Sequence, residues 1–246
     1  DVYGNFLPLA FPSTGDFKVG HYIYISTIPL LLFGDSEVTI RITAAFFGTL
    51  TILSVCFFIY SLSKNFVVSL FSGGMVAITP SEIFYSRKSF EGEIGVFFIF
   101  LGLALVLKGK NWIYPGMFSL ATAMYMYTSY TMVVPIIIFL LVVIFRKKIT
   151  LKPKKFLYTL LFFIILLIPL IYVSFTNNFL RFRASSVLIT QDVNLTRHLE
   201  ISQNHALAFL EYVFNKYLTQ FNPAYIFGNG FDFTNQGLIG MGPLLF

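Results

Sequence analysis

Charged residues are scarce in this chain, at 11% of its 246 residues. A soluble domain carries about 25%, so the composition excludes an ordinary soluble protein of this length. Hydrophobic residues make up 57% instead, and the mean hydropathy is +0.78. These values are typical of an integral membrane protein.

Cysteine is almost absent, since Cys56 is the only one and lies in an apolar run. A single cysteine excludes an internal disulfide. The net charge of +6 does not indicate a nucleic-acid partner, because the basic residues cluster beside apolar segments, as membrane orientation requires.

The chain also lacks a starting Met and a signal peptide, since it begins with Asp1. It ends in an apolar-leaning stretch over residues 241–246. We therefore expect a piece of a longer membrane protein.

Long apolar runs are what the chain does contain. A membrane-spanning helix needs about 20 apolar residues, and six runs approach that length. They cover residues 40–62, 66–83, 90–107, 112–127, 132–145 and 156–175. The sequence predicts an all-α bundle of about six spans, with a re-entrant hairpin as the alternative for the short fourth and fifth runs.

The loops between these runs predict the orientation of the bundle. Alternate loops are basic, and they carry Lys64, Lys108, Lys110, Arg146, Lys147, Lys148, Lys152, Lys154 and Lys155. The positive-inside rule assigns these loops to the cytoplasm. All eleven acidic residues lie in or beside the opposite segments, residues 1–39, 81–89 and 176–246, which are predicted to lie outside.

Three regions follow from this topology. Residues 1–39 form a first outer loop, in which the short apolar run 21–33 predicts a juxtamembrane helix. Residues 40–175 form the membrane bundle, and residues 176–246 begin an outer domain. Within that domain, residues 199–221 have the pattern of an amphipathic helix. His198 and His205 would then share one face of it.

Two polar clusters stand out against the apolar background. One covers residues 15–22 ahead of the predicted juxtamembrane helix, and the other covers residues 85–93 between two apolar runs. Ionisable groups at a membrane boundary are costly and usually functional. If the topology brings the two clusters together, they form a polar site at one membrane face. Tyr125, Tyr127 and Tyr130 are predicted to form an outer aromatic belt.

Several short motifs resemble one family in their order and spacing. They are DVYGNFLPL at 1–9, GDFK at 15–18, FGDSE at 33–37 with Arg41, SR at 86–87, FE at 90–91, YLTQFNP at 217–223, FGNG at 227–230 and GMG at 240–242. Together they resemble the outer loops of bacterial glycosyltransferases of the C superfamily, in the group related to protein O-mannosyltransferases and aminoarabinose transferases.

The resemblance implies an enzyme of the bacterial plasma membrane with its active site outside the cytoplasm. Such an enzyme moves a sugar from a polyprenyl-phosphate carrier to a hydroxyl of a glycan, lipid or protein. An aspartate of the first outer loop serves as base or orients the acceptor, and a second acid with basic residues holds the phosphate or a metal.

The family's residues carry over by position. Lys18 matches a lysine that precedes two prolines, here replaced by Val19-Gly20, and Arg87 matches an arginine. Both are candidates to bind the donor phosphate. The candidate catalytic acids are Asp16, Glu91 and Asp1. The family's main aspartate is expected upstream of Asp1, so we expect this piece to be inactive alone.

Each candidate also has a structural interpretation. Lys18 is then an interfacial lysine that reaches water, and Arg87 pairs with Glu91 one helical turn away. Asp16 caps the following helix, and Glu91 caps its own helix or pairs with Lys88.

No cofactor is firmly predicted. His21, with Asp16 or Glu91, is a candidate ligand set for a divalent metal. The alternative function is a polytopic transporter or lipid flippase. A transporter would place ionisable or helix-breaking residues near the middle of the bilayer, whereas here they gather at one end of the apolar runs.

Overall fold

The computed structural model describes residues 7–13, 16–145, 153–176, 193–201, 204–219, 221–223 and 226. Asp1 and the glycine-rich tail over residues 228–242 lie outside this part. The described chain is mostly helical, which confirms the all-α part of the prediction. Two short strands precede the helices, and β1 (Ala10–Ser13) pairs antiparallel with β2 (Asp16–Val19).

Ten α-helices follow the strand pair in the described residues. They are α1 (His21–Phe33), α2 (Glu37–Ser63), α3 (Phe66–Ile78), α4 (Pro80–Arg87), α5 (Glu91–Lys108), α6 (Ile113–Met126), α7 (Tyr130–Phe145), α8 (Pro153–Thr176), α9 (Val193–Ile201) and α10 (His205–Thr219). A single 3₁₀ turn, Lys110–Trp112, joins α5 to α6.

Among the described residues, two helices are long and apolar enough to cross a membrane, α2 with 27 residues and α8 over the 23 residues Lys154–Thr176. A third candidate is α3 with α4, which pass the same test together but meet at a bend of 62°. The run predicted to be juxtamembrane is a 13-residue apolar helix, α1, with the predicted bounds.

The predicted run 66–83 is interrupted in the structure, because the chain breaks at Thr79. Pro80 disfavours helical geometry in the residue before it, and Thr79 is extended, with φ −68° and ψ 126°. Pro80 then starts α4, a position where its missing N–H costs nothing. The region predicted as an outer loop over residues 81–89 is therefore largely helical.

The packing centre is α5, which lies between α2 and α6. Glycines permit the closest approach: a Cβ added to either Gly102 or Gly116 would lie 2.9 Å from the carbonyl oxygen of the other. Ser119 on α6 donates a hydrogen bond of 2.7 Å to the Phe98 carbonyl of α5. Small residues at such crossings let two helix backbones touch, which drives helix association in membranes.

The amphipathic run near the C-terminus is two helices rather than one. Its second helix, α10, starts after Asn204, whose side-chain oxygen accepts a hydrogen bond of 3.2 Å from the Leu207 N–H. Asparagine is a favoured residue for starting a helix in this way. His198 and His205 consequently lie on different helices, and the prediction that they share one helix face is wrong.

Candidate functional site

The fold brings the two polar clusters together. Lys18 lies on β2, and Glu91 is the first residue of α5. Their side chains form an ion pair with 3.1 Å between Nζ and Oε1. The Lys18 side chain is 50% exposed and that of Glu91 only 14%, so the lysine reaches solvent while its partner is held by the bundle.

A second contact joins the same two regions. The Tyr22 hydroxyl on α1 and the Ser89 hydroxyl, between α4 and α5, lie 2.5 Å apart. With the ion pair, this contact fixes the start of α1 against the corner between α4 and α5. The strand pair and α1 therefore form one wall of a site whose other wall belongs to the bundle.

A cavity of about 740 Å³ lies between these walls. Its polar lining residues are Lys18, Tyr22, Ser81, Glu82, Tyr85, Lys88, Ser89, Glu91, Glu93, Tyr127, Thr128 and Tyr130. The cations are the exposed members, and Glu93 is the most enclosed, at 3% exposure. The cavity thus has cations near water and carboxyl groups deep inside, in a volume suited to a small ligand.

The deep carboxyl groups belong to Glu82 and Glu93, whose side chains hydrogen-bond to each other. Glu93 also accepts a hydrogen bond of 3.4 Å from Thr51 of α2. Two carboxylates in contact repel one another, so such a pair shares a proton. Glu82 keeps one buried oxygen, Oε1, without a hydrogen-bond partner among the described residues. A ligand hydroxyl in the cavity would supply that oxygen with a donor.

Aromatic rings form a continuous side of the cavity. Ring centroids lie 5.0 Å apart for Tyr85 and Phe90, 5.4 Å for Phe90 and Tyr127, and 5.4 Å for Tyr127 and Tyr130. The Tyr130 hydroxyl donates to the Gly92 carbonyl at 3.0 Å. Tyr127 and Tyr130 therefore line the site, and their place in an outer aromatic belt stays a prediction.

Tyr125 is buried and joins α6 to α8. Its hydroxyl donates to the Leu166 carbonyl at 2.6 Å and accepts from the Leu170 N–H at 3.2 Å. These two backbone groups would otherwise bond to each other within α8. The Tyr125 hydroxyl thus replaces one backbone hydrogen bond of α8. It does so next to Pro169, whose missing N–H already interrupts the hydrogen bonding of that helix.

His21 packs on this tyrosine, with 4.4 Å between the ring centroids of His21 and Tyr125. Its Nδ1 atom is buried and has no hydrogen-bond partner among the described residues. Burial lowers the pKa of His21 below its ordinary value. The described residues contain no group of three or more His, Cys, Asp or Glu side chains that could hold a metal, so the metal hypothesis for His21 gains no support from geometry.

A pH effect follows from the buried imidazole. Because the pKa of His21 is lower in the folded protein than its ordinary value of 6.5, the unfolded chain binds the proton more tightly. The stability that His21 contributes is therefore complete above pH 6.5 and is lost as the pH falls below it. We expect the thermal midpoint in detergent to fall between pH 7.5 and pH 5.5, and His21→Gln to reduce that fall. An equal fall in both proteins would contradict this assignment.

The other predicted site residues are placed less centrally. Arg87 is exposed at the end of α4 and does not line the cavity, whereas its neighbour Lys88 does. The backbone of Asp16 lies in β2, and its side chain is outside the described part of the structure. Gly20, not Asp16, occupies the capping position of α1.

Comparison of the chain with protein-family models, with curated proteins and with solved structures found no match. The interpretation of the site therefore depends on its own geometry and on the sequence motifs.

Proposed function

We propose that the protein is a multi-span membrane glycosyltransferase that moves a sugar from a polyprenyl-phosphate carrier to an acceptor hydroxyl outside the cytoplasm. The observation that carries the proposal is the meeting of Lys18 with Glu91 at the wall of a cavity that also contains Glu82 and Glu93. The motif resemblance independently selects Lys18 and Glu91.

The cavity contains the groups that this reaction requires. Departure of a lipid phosphate is favoured by nearby positive charge, which Lys18 and Lys88 provide. The acceptor hydroxyl must lose a proton to a carboxylate, and Glu91 is the candidate. The bond from the anomeric carbon to the phosphate oxygen breaks, the bond to the acceptor oxygen forms, and the acceptor proton goes to the carboxylate. The lipid phosphate leaves, with inversion at the sugar carbon.

The helix order supports a multi-span bundle. If α2, the bent pair α3–α4, α5, α6, α7 and α8 each cross the membrane once, the α4–α5 corner and the start of α7 lie on the same side. Residues lining the cavity come from both places. The basic loops then lie on the opposite side, as the positive-inside rule requires.

A transporter or lipid flippase is the second candidate. The specific observation in its favour is the buried Glu82–Glu93 pair beside the 62° bend between α3 and α4, since transporters place buried ionisable groups and broken helices at their substrate sites. A transporter needs this pair but has no evident use for Lys18 at the exposed edge of the cavity.

The test measures transfer of radiolabelled sugar from a panel of polyprenyl-phosphate sugars by membranes containing the full-length protein. We expect Lys18→Ala to lower transfer about 100-fold, the usual effect of removing one stabilising group from such a site. Lys154→Ala is the matched control, because Lys154 is exposed at the start of α8, and it should transfer normally. No transfer from any donor by inserted wild-type protein would overturn the proposal and favour a lipid-flipping assay.

A further inference from the structure

The last described helix, α10, carries an apolar stripe that no other described residue covers. Its six members recur every three or four residues, apart from the adjacent Tyr217 and Leu218, and each is between 47% and 64% exposed: Leu207, Leu210, Phe214, Tyr217, Leu218 and Phe221. This spacing puts the five members within α10 on one face of the helix, and Phe221 lies beyond its end with its ring centroid 5.0 Å from that of Tyr217. An exposed row of large apolar side chains marks an interaction surface.

The opposite side of the stripe's helix is already occupied. Ala208 is buried at 3% exposure, and Tyr212 packs on His198 of α9, with 5.9 Å between the ring centroids. Glu211 lies 3.9 Å from the His198 ring. The contact with α9 therefore fixes the rotation of α10 and directs the stripe away from its helical neighbour.

The length of chain before α9 keeps the stripe close to a membrane. The spanning candidate α8 ends at Thr176, and α9 begins at Val193. The 16 residues between them reach at most about 55 Å when fully extended. A surface tethered at that distance meets the bilayer at high effective concentration.

The chemistry of the stripe fits a lipid surface better than a second protein. Aromatic and leucine side chains beside polar residues are typical of helices that lie in the membrane interface. Six side chains on one helix fall well short of the roughly 20–30 residues a side that a specific protein interface uses. The α9–α10 pair thus offers a narrow apolar edge rather than a broad docking face.

We propose that α10 lies flat in the membrane interface, with the stripe from Leu207 to Phe221 buried among the lipid acyl chains. This places the α9–α10 pair on the bilayer beside the end of α8. The inference depends on the membrane-spanning helices and not on the proposed transferase activity, and it assigns a lipid-binding surface outside the cavity.

The test uses the full chain in phospholipid vesicles, with Cys56→Ser removing the native thiol. An environment-sensitive NBD label is attached to a single cysteine at Phe214 or, as the matched control, at His205 on the opposite face of α10. Both positions are exposed, so neither label should disturb folding. Leu210→Cys repeats the stripe measurement at a second position.

We expect doxyl-labelled lipid to quench the Phe214→Cys and Leu210→Cys labels at least threefold more than the His205→Cys label. Iodide in the buffer should show the reverse order. Equal iodide quenching at all three positions would show that the stripe is exposed to water, which would overturn the proposal. Protection of the stripe labels from both quenchers would also overturn the proposal, because the stripe would then be covered by protein and not by lipid.

Discussion

Gly116→Val is expected to prevent α6 from packing against α5. A Cβ at this position would lie 2.9 Å from the Gly102 carbonyl oxygen and 2.9 Å from the Val106 backbone nitrogen. Both neighbours are backbone atoms, so the side chain cannot be accommodated by a rotamer change. Overpacking typically costs about 1–3 kcal/mol, and valine adds two methyl groups to this contact. We expect most of the variant to aggregate in detergent.

The matched control is Gly74→Val, because nothing lies within 4 Å of a Cβ added to that α3 glycine. Valine has a similar helix propensity in both places, so the difference between the variants reports packing alone. Size-exclusion profiles and thermal midpoints measure it. If Gly116→Val were as monodisperse and as stable as Gly74→Val, the close approach of α5 and α6 would be wrong.

The bounds of the apolar helices were the most predictable part of the fold. The run of α1 is preceded by Gly20 and followed by Gly34, which has φ +78°, so both ends are marked in the sequence. The Thr79–Pro80 break was also readable, because proline disfavours helix in the residue before it. A pattern of hydrophobicity alone treats the two helices as one.

The meeting of Lys18 with Glu91 was predictable as a hypothesis because both clusters lie at the same predicted membrane face. It was not predictable that Lys88, rather than Arg87, would line the cavity. Lys88 has an extended backbone, with φ −101° and ψ 139°, so helical periodicity stops at Arg87. Which of two adjacent cations faces the cavity then depends on tertiary packing.

The aromatic residues show the same limit. Tyrosines at the end of an apolar run suit a membrane interface, and composition cannot distinguish that role from a place in a site. Nor can composition predict the hydrogen-bond partners: Tyr125 bonds to α8, and Tyr130 bonds to the Gly92 carbonyl. These contacts join residues more than thirty positions apart in the chain. The pairing of Glu82 with Glu93 likewise depends on the bend at Thr79.

Reversing the Lys18–Glu91 pair separates its structural role from its proposed chemical one. Lys18→Glu alone puts two carboxylates where an ion pair of 3.1 Å existed. Because the lysine is half exposed, solvent screens the interaction, and the loss of stability should be about 0.5–1 kcal/mol. Sugar transfer should fall about 100-fold, because the cation that faces the leaving phosphate is gone.

The double variant Lys18→Glu with Glu91→Lys restores opposite charges at the same two positions. Its stability should recover most of that loss. The recovery stays incomplete by about 0.5 kcal/mol, because a lysine in the first turn of α5 is unfavourable to the helix dipole. Transfer should stay low, since the cation now projects from α5 instead of β2 and the carboxylate has left the bundle.

Recovery of stability without transfer is the result that assigns the pair a chemical role, either phosphate binding by Lys18 or proton transfer to Glu91, since pairing alone predicts that both recover together. Full recovery of stability and of transfer in the double variant would show that the pair only holds β2 against α5. Lys88 would then be the cation that serves the cavity. Thermal midpoints test the pairing even if wild-type membranes transfer no sugar, so failure of the pairing and failure of the enzyme proposal are distinguishable.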